Sequence, residues 1–206
     1  MSSHKPSQEL GRVKILETIL DSCTLELTPV DEVWPGLYIG NVAEAQNKKT
    51  LHKLGITHVL NAAHSKQGSI GDQRFYGDTC VYLGIPAEDS DEFDLSQHFR
   101  PTADFIHSAL KTKDGKSQSK WQQSLILSAL MPGVCTGKVL VHCIMGVSRS
   151  ASLVVAYLML HQHLTLSNAL KHVIQKRPIY PNRHFLSLLL KLDDQLSFKR
   201  RFCPLL

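Results

Sequence analysis

Short apolar runs alternate along this chain with longer segments of helical periodicity. The short runs are rich in Val, Ile and Leu, which is typical of strands, and they lie at 37–39, 57–61, 80–85 and 138–142. Helical patterns at about 43–54 and 96–110 separate several of these runs. This order of elements predicts an α/β sandwich.

An apolar stripe near the start of the chain predicts a further helix. Val13, Leu16 and Leu20 recur at helical spacing within 13–21, with Ile15 and Ile19 beside them. We expect this helix to pack on the body of the protein.

Two helices are predicted near the other end of the chain. Thr165 is a suitable N-cap for a helix over 166–176, and Pro178 would stop that helix. Asn182 is a suitable cap for a last helix. The apolar face predicted for that last helix comprises Phe185, Leu188, Leu189, Leu192 and Leu196.

A reactive residue type lies at the start of a short loop between a strand and a helix. The run 138–141 predicts a buried strand, and the apolar run 150–160 is long enough for a helix. Cys143 and Arg149 therefore stand at the two ends of a Gly- and Ser-containing loop. That arrangement fits an anion of the size of phosphate.

Helix geometry explains why such a loop would bind phosphate. Unpaired backbone N–H groups and the positive end of the helix dipole point into the loop, so they stabilise an oxyanion. The same field should lower the pKa of Cys143 from about 8.5 towards roughly 3.5–7.5. Arg149 offers a planar fork that can hold two phosphoryl oxygens. The predicted phosphate-binding residues are Ile144, Met145, Gly146, Val147, Ser148 and Arg149.

A plainer interpretation is also open for this pair. Cysteine is often a buried core residue, and Arg149 could be a solvated residue at a helix start. Against it, an arginine in the first helical turn opposes the helix dipole, and a plain connection has little need of Gly146 and Ser148.

Beyond the loop, the sequence resembles the cysteine-dependent protein phosphatases, and within them the small atypical dual-specificity phosphatases of the vaccinia H1-related type, including the muscle- and testis-type members. The resemblance runs over 33–41, 54–63, 82–85, 87–95, the loop itself, 156–159 and 181–183. It implies a three-layer α/β fold with a central mixed sheet of about five strands flanked by helices.

The resemblance also implies roles for the residues that match its motifs. Cys143 is the nucleophile, and by position Asp89 is the general acid, although four acids lie close together there and the residues alone favour Asp89 only weakly. Ser150 stabilises the departing thiolate, His142 orders the loop, and Asn182 supports the site. Such a mechanism needs no metal and no cofactor.

Composition and charge fit one enzyme domain. The chain has 206 residues, 43% of them hydrophobic, and a formal charge of +5 with Lys and Arg scattered. Five cysteines without paired spacing, and no secretory signal pattern at the start, predict a reducing compartment without disulfides. We expect cytoplasmic and also nuclear localisation, a monomer or weak homodimer, and neither nucleic acid nor membrane as partner.

The predicted organisation has three parts. Residues 1–28 form an N-terminal extension with the amphipathic helix, 29–198 the phosphatase domain, and 199–206 a frayed basic tail. The domain carries an atypical insert at 117–138, because joining Lys116 directly to Val139 restores the family's ordinary turn. The insert is either a docking element or intervening sequence from a splicing or gene-model error.

Two other departures from the family pattern affect substrate and backbone. The loop side chains Ile144, Met145 and Val147 add no positive charge, so polyanionic phosphoinositides gain little here. His184 stands where the family usually has glycine, and it would be strained if that position required a positive φ.

The predicted function is hydrolysis of phosphotyrosine and phosphoserine or phosphothreonine in proteins, through a phosphocysteine on Cys143. By resemblance, the substrates are phosphoproteins and include MAP-kinase-type signalling proteins. Two alternatives stay open. The first is a catalytically impaired regulator that binds phosphoproteins, if the insert at 117–138 disrupts the site. The second is a phosphatase of non-protein substrates such as RNA 5′ ends or sugar phosphates.

Overall fold

A five-stranded mixed sheet forms the centre of the protein. The computed structural model describes residues 5–65, 69, 71–111 and 137–202. The strands are β1 (Val30–Trp34), β2 (Leu37–Gly40), β3 (His58–Asn61), β4 (Val81–Gly84) and β5 (Val139–His142). They are arranged in the order β1-β2-β5-β3-β4, and every neighbouring pair is parallel except β1 and β2. The predicted fold class is confirmed.

Helices cover both faces of this sheet. Within the described residues they are α1 (Lys5–Asp21), α2 (Val42–Ala45), α3 (Lys48–Leu54), α4 (Gln73–Tyr76), α5 (Ser96–Lys111), α6 (Arg149–His161), α7 (Leu166–Ile174) and α8 (Arg183–Phe202). None of them is both long and apolar enough to cross a membrane.

Alternating side chains of the strands divide the core into two clusters. Val139 and Val141 of β5 point into the larger cluster, which includes residues of α1, α5, α6, α7 and α8. Leu140 points to the other face and packs with Leu51 and Tyr76. Because both faces are covered, the central strands are mostly apolar, as parallel strands are, with the polar residues His58, Asn61 and His142 at their ends.

Helix α6 is the most deeply buried helix. All residues from Ser150 to Met159 are buried, and the helix packs against α5 and α8. A helix buried on all sides is held in one position by its neighbours. The strand β5 and the helix α6 therefore give the connecting loop two rigid ends.

Several predicted elements differ in detail from the structure. The helix expected at 43–54 is two helices, because Gln46 ends α2 and the Asn47 side chain accepts hydrogen bonds from the first backbone amides of α3. Strand β1 and the one-turn helix α4 were not predicted.

The predicted caps are present at the last two helices. Thr165 accepts from the amide of Asn168 at 3.3 Å, and Asn182 accepts from the amide of Phe185 at 2.8 Å. His184 lies within α8 and does not adopt a positive φ, so the predicted strain does not occur. Helix α8 continues to Phe202 and so includes the first residues of the segment predicted as a basic tail.

The predicted insert falls mostly outside the described residues, which resume at Gly137. From there the chain enters β5 in register with both neighbours: Val139 lies opposite Leu37 of β2 and His58 of β3. The strand that delivers Cys143 is therefore correctly paired along its length. Strand β5 is therefore not shifted in register against either neighbour.

Candidate active site

The loop 143–148 lies at the carboxyl end of the parallel strands. Strand β5 ends at His142, and α6 begins at Arg149. The ends of β2 and β3 flank it, with Gly40 opposite His142 on one side and Asn61 on the other. This edge is where ligands bind in open α/β sheets.

The backbone carbonyls of the loop are held from outside. The amide of Val42 donates to the carbonyl of Ile144 at 3.0 Å, and the amide of Tyr180 donates to that of Val147 at 2.9 Å. Because N–H and C=O point in opposite directions across a trans peptide, these bonds turn the amides of Met145 and Ser148 towards the inside of the loop. The interior of the loop is therefore lined by donors, as an anion site requires.

Gly146 is required by both conformation and space. Its φ is +73°, a region that L side chains rarely adopt. A Cβ at this position would overlap the carbonyl of Gly40 and lie 2.8 Å from an Nη atom of Arg177. A larger residue here would displace either β2 or the loop.

Cys143 lies at the bottom of this loop and is 2% exposed. Burial raises the pKa of its thiol, but hydrogen bonds from Ser150 and Gly146 and the charge of Arg149 outweigh burial, so the pKa lies below its usual value. The Sγ atom is 3.4 Å from Ser150 Oγ and accepts from the amide of Gly146 at 3.3 Å. The sulfur is thus placed to be a thiolate.

Arg149 begins α6 and points across the loop opening. One Nη donates to the carbonyl of Ala87 at 3.1 Å, which fixes the direction of the guanidinium. Its Nε is buried without a hydrogen-bond partner among the described residues and lies 3.6 Å from a carboxylate oxygen of Asp89. A buried donor left without a partner is costly, so this N–H is suited to donate a hydrogen bond to a substrate oxygen.

Asp89 reaches the loop from the segment after β4. Its Oδ1 accepts from Ser148 Oγ at 2.8 Å and from Asn182 Nδ2 at 2.8 Å. The backbone N–H of Asn182 in turn donates to Ser148 Oγ at 3.2 Å. The structure therefore brings Asp89 and Asn182 to the same opening as Arg149.

The neighbouring acid Asp94 has a different position. It caps α5 by accepting from the amide of Ser96 at 3.0 Å, and the bond from the Ser96 side chain lowers the pKa of this carboxyl. Asp89 thus contacts the loop, whereas Asp94 caps the helix that follows.

His142 lies beneath the loop as a neutral, buried ring. Its Nδ1 donates to the carbonyl of Cys143 at 3.1 Å, and its Nε2 has no hydrogen-bond partner in the described part of the chain. Burial lowers the pKa of His142 to about 4, more than the bond to the Cys143 carbonyl raises it. This contact agrees with a role in ordering the loop.

Sequence reasoning missed one residue of the site, Arg177. It follows α7 and is fully buried, yet it donates to the carbonyls of Gly146 at 2.9 Å and Met145 at 3.2 Å. A single arginine after a helix carries no signal of such contacts, because its partners are backbone atoms.

The sequence is similar to those of known phosphatases. The family model described as dual specificity phosphatase, catalytic domain, matches residues 134–195. Dual specificity protein phosphatase 26 from Homo sapiens is 47% identical over 181 residues, which cover 88% of this chain and 75% of the relative. The Mus musculus protein of the same name is 46% identical over 181 residues with the same coverage.

Solved structures agree with the sequence comparison. Human DUSP28 superimposes with a TM-score of 0.63 at 26% identity, covering 84% of this chain and 97% of that one. A mouse putative dual specificity phosphatase, solved in complex with zinc tungstate, has a TM-score of 0.62 at 28% identity, covering 85% and 94% of the two chains.

Proposed function

The chain belongs to the dual specificity phosphatases and is a protein phosphatase, and on this premise we propose that it hydrolyses phosphotyrosine and phosphoserine or phosphothreonine through a phosphocysteine on Cys143. The observation that carries the proposal is the convergence of three groups on one opening. A buried sulfur with a lowered pKa lies in the loop, with the guanidinium of Arg149 and the carboxyl of Asp89 at its edge.

In the first step the thiolate of Cys143 attacks phosphorus. The S–P bond forms and the P–O bond to the substrate side chain breaks. Asp89, in its acid form, gives its proton to the leaving oxygen, which would otherwise depart as an alkoxide or phenoxide. Inward amides and Arg149 hold the three remaining phosphoryl oxygens as their charge grows.

In the second step water attacks the phosphocysteine. Asp89, now a carboxylate, takes a proton from that water, the O–P bond forms and the S–P bond breaks. The departing sulfur receives hydrogen bonds from Ser150 and from the amide of Gly146, the same groups that lower its pKa in the resting enzyme. The cycle ends with inorganic phosphate and a regenerated thiolate.

The first test is the loss of activity when the sulfur is removed. We expect Cys143→Ser to abolish hydrolysis of p-nitrophenyl phosphate while inorganic phosphate still binds, because amides and Arg149 remain. Rapid acid quenching of the unmodified enzyme should leave phosphate on the peptide that contains Cys143. Cys80→Ser is the matched control, since Cys80 is buried in the other core cluster and bonds to the carbonyl of Ile56.

Retained turnover in Cys143→Ser would contradict the proposal. Loss of turnover in both variants would indicate a general effect of thiol substitution rather than nucleophilic catalysis. Competition between phosphopeptides, sugar phosphates and RNA 5′ ends for the same site would separate protein phosphatase chemistry from hydrolysis of the non-protein substrates.

The physiological setting follows as part of the proposal. We propose MAP-kinase-type signalling proteins as substrates, on the family resemblance. A cytoplasmic location, and a nuclear one beside it, is supported by the need of Cys143 for a reducing compartment. We propose a monomer or weak homodimer, which sedimentation at several protein concentrations would test.

A further inference from the structure

Arg177 connects the phosphate loop to the edge of the sheet. Its guanidinium is 0% exposed and donates on one side to the carbonyls of Gly146 and Met145 at 2.9 and 3.2 Å. On the other side one Nη donates to the carbonyl of Thr28 at 2.7 Å and to the carboxylate of Asp31 at 2.6 Å. The buried charge is therefore paired, and every nitrogen of the fork has a partner.

These bonds determine where two amides of the loop point. The carbonyl of Met145 shares a planar peptide with the N–H of Gly146, and the carbonyl of Gly146 shares one with the N–H of Val147. A carbonyl held by Arg177 outside the loop turns the N–H on the opposite side of that peptide inward. Gly146 agrees with this rule, because its amide lies 3.3 Å from Cys143 Sγ.

Arg177 thereby completes a set of four contacts. The carbonyls of Ile144 and Val147 are held by backbone amides, whereas the two between them are held by Arg177 alone among the described residues. These two belong to the segment around Gly146, whose positive φ is the least common conformation of the loop. The middle of the loop therefore depends on one side chain.

We propose that Arg177 is a positioning residue for phosphoryl transfer: tethered by Asp31 and Thr28, it aims the amides of Gly146 and Val147 at the sulfur and at the bound phosphoryl group. The inference rests on the proposed function and deepens it. Arg177 does not contact substrate in this role, since its guanidinium is enclosed by protein. Lysine cannot replace it, because a single ammonium lacks the fork that reaches both carbonyls and Asp31 together.

The test compares Arg177→Lys and Arg177→Gln with Leu170→Ala in the full chain. Leu170 is fully buried in α7, so the control makes a cavity near Arg177 in sequence without removing a bond to the loop. Three quantities are measured: the pH dependence of Cys143 alkylation by iodoacetate, followed on its peptide by mass spectrometry; inhibition by inorganic phosphate; and kcat/KM for p-nitrophenyl phosphate. Urea unfolding reports the stability of each variant.

We expect both Arg177 variants to shift the alkylation midpoint to higher pH and to weaken inhibition by phosphate. We expect kcat/KM to fall roughly 100-fold, which is the loss typical of a misplacement of about 1 Å in a catalytic group. Leu170→Ala should lose stability while its alkylation midpoint and phosphate inhibition stay as in the unmodified chain.

Folded Arg177 variants with unchanged alkylation and phosphate inhibition would overturn the inference, and so would equal changes in Leu170→Ala. Should the Arg177 variants fail to fold, Asp31→Asn decides, because it removes the charge that tethers Arg177 and leaves the Arg177 side chain in place. It must shift the alkylation midpoint to higher pH and weaken inhibition by phosphate, and an unchanged midpoint in folded Asp31→Asn would overturn the inference. Alkylation and phosphate binding need no turnover. An unmodified chain that binds phosphate without hydrolysing esters would therefore refute the proposed function and leave the inference about Arg177 to be judged on its own readouts.

Discussion

At Cys143, burial and hydrogen bonding act on the same sulfur in opposite directions. Burial alone would keep the thiol protonated, yet the donors from Ser150 and Gly146 and the charge of Arg149 lower its pKa further than burial raises it. These donors are fixed by the fold before substrate arrives. In the proposed mechanism the same fixed groups therefore stabilise the thiolate in the resting enzyme and again when it departs from phosphorus.

Asp89 is the residue whose role depends most on the leaving group. We expect Asp89→Asn to lower kcat/KM for phenyl phosphate by roughly 100-fold, because phenolate needs a proton to depart and general acid catalysis typically contributes 10²–10⁴-fold. The ratio kcat/KM covers only the steps up to formation of the phosphocysteine, so the role of Asp89 in the second step does not affect it. The loss on p-nitrophenyl phosphate should be much smaller, since nitrophenolate leaves without a proton. Steady-state kinetics on the two esters measures the difference.

Asp91→Asn is the control for Asp89→Asn, since Asp91 lies in the same acidic segment. It should retain activity on both esters. An equal loss of kcat/KM on the two esters in Asp89→Asn would contradict proton donation, and would indicate that Asp89 only holds Ser148 and Asn182 in place.

Individual residues of this site differ in how far sequence can predict them. Cys143 and Arg149 are predictable because both reactive types flank one short loop between a strand and a helix. Asp89 needed the family resemblance, because several acids compete in one segment and sequence does not show which carboxylate reaches the loop. Arg177 was not predicted because it donates hydrogen bonds to backbone carbonyls, whose directions depend on the conformation of the folded loop.

Helix α1 contributes one face to the core of the protein. Val13, Leu16 and Leu20 are buried in the larger cluster, and Arg12 pairs with Asp194 of α8 at 2.8 Å. Ile15 lies on another face of the same helix, where its side chain is 63% exposed. The exposed ion pair contributes little, so burial of the three apolar residues is the main attachment of this helix.

A pair of substitutions tests this attachment. We expect Leu16→Ala to lower the free energy of unfolding by about 2–5 kcal/mol, because it leaves a cavity at a residue that is 3% exposed. Ile15→Ala, one position along the same helix, should change it by less than about 0.5 kcal/mol. Urea denaturation measures both, and equal losses would show that α1 does not pack as described.

Elements were predictable where periodicity was long and regular. The stripes of α1, α5, α7 and α8 extend over several turns, whereas α4 is a single turn of four residues that leaves no period to detect. Strand β1 carries Asp31 and Glu32 at the antiparallel edge of the sheet, so it lacks the apolar run of the buried strands. The capping role of Asn47 divided a helical pattern that looked continuous.

For the molecule as a whole, the buried histidine beneath the loop couples stability to pH. His142 has a pKa of about 4 in the folded protein, and an unfolded chain has a histidine pKa of about 6.5. Between these values the unfolded state binds the proton and the folded state does not. The free energy of unfolding must therefore fall as pH decreases through this window.

The size of this loss can be predicted and isolated. A difference of about 2.5 pKa units corresponds to about 3 kcal/mol, absent above pH 6.5 and complete below about pH 4. His142→Asn removes the titration while an amide N–H can still reach the carbonyl of Cys143. The other groups with shifted pKa, His58 and Asp94 among them, remain in both proteins and cancel in the comparison. Urea unfolding at several pH values gives the free energy of unfolding of both proteins as a function of pH. The two curves should diverge below pH 6.5, with the unmodified protein losing about 3 kcal/mol more. Parallel curves would mean that folded His142 binds its proton as readily as the unfolded chain does, and the ring would then need an acceptor for Nε2 that the described structure does not offer.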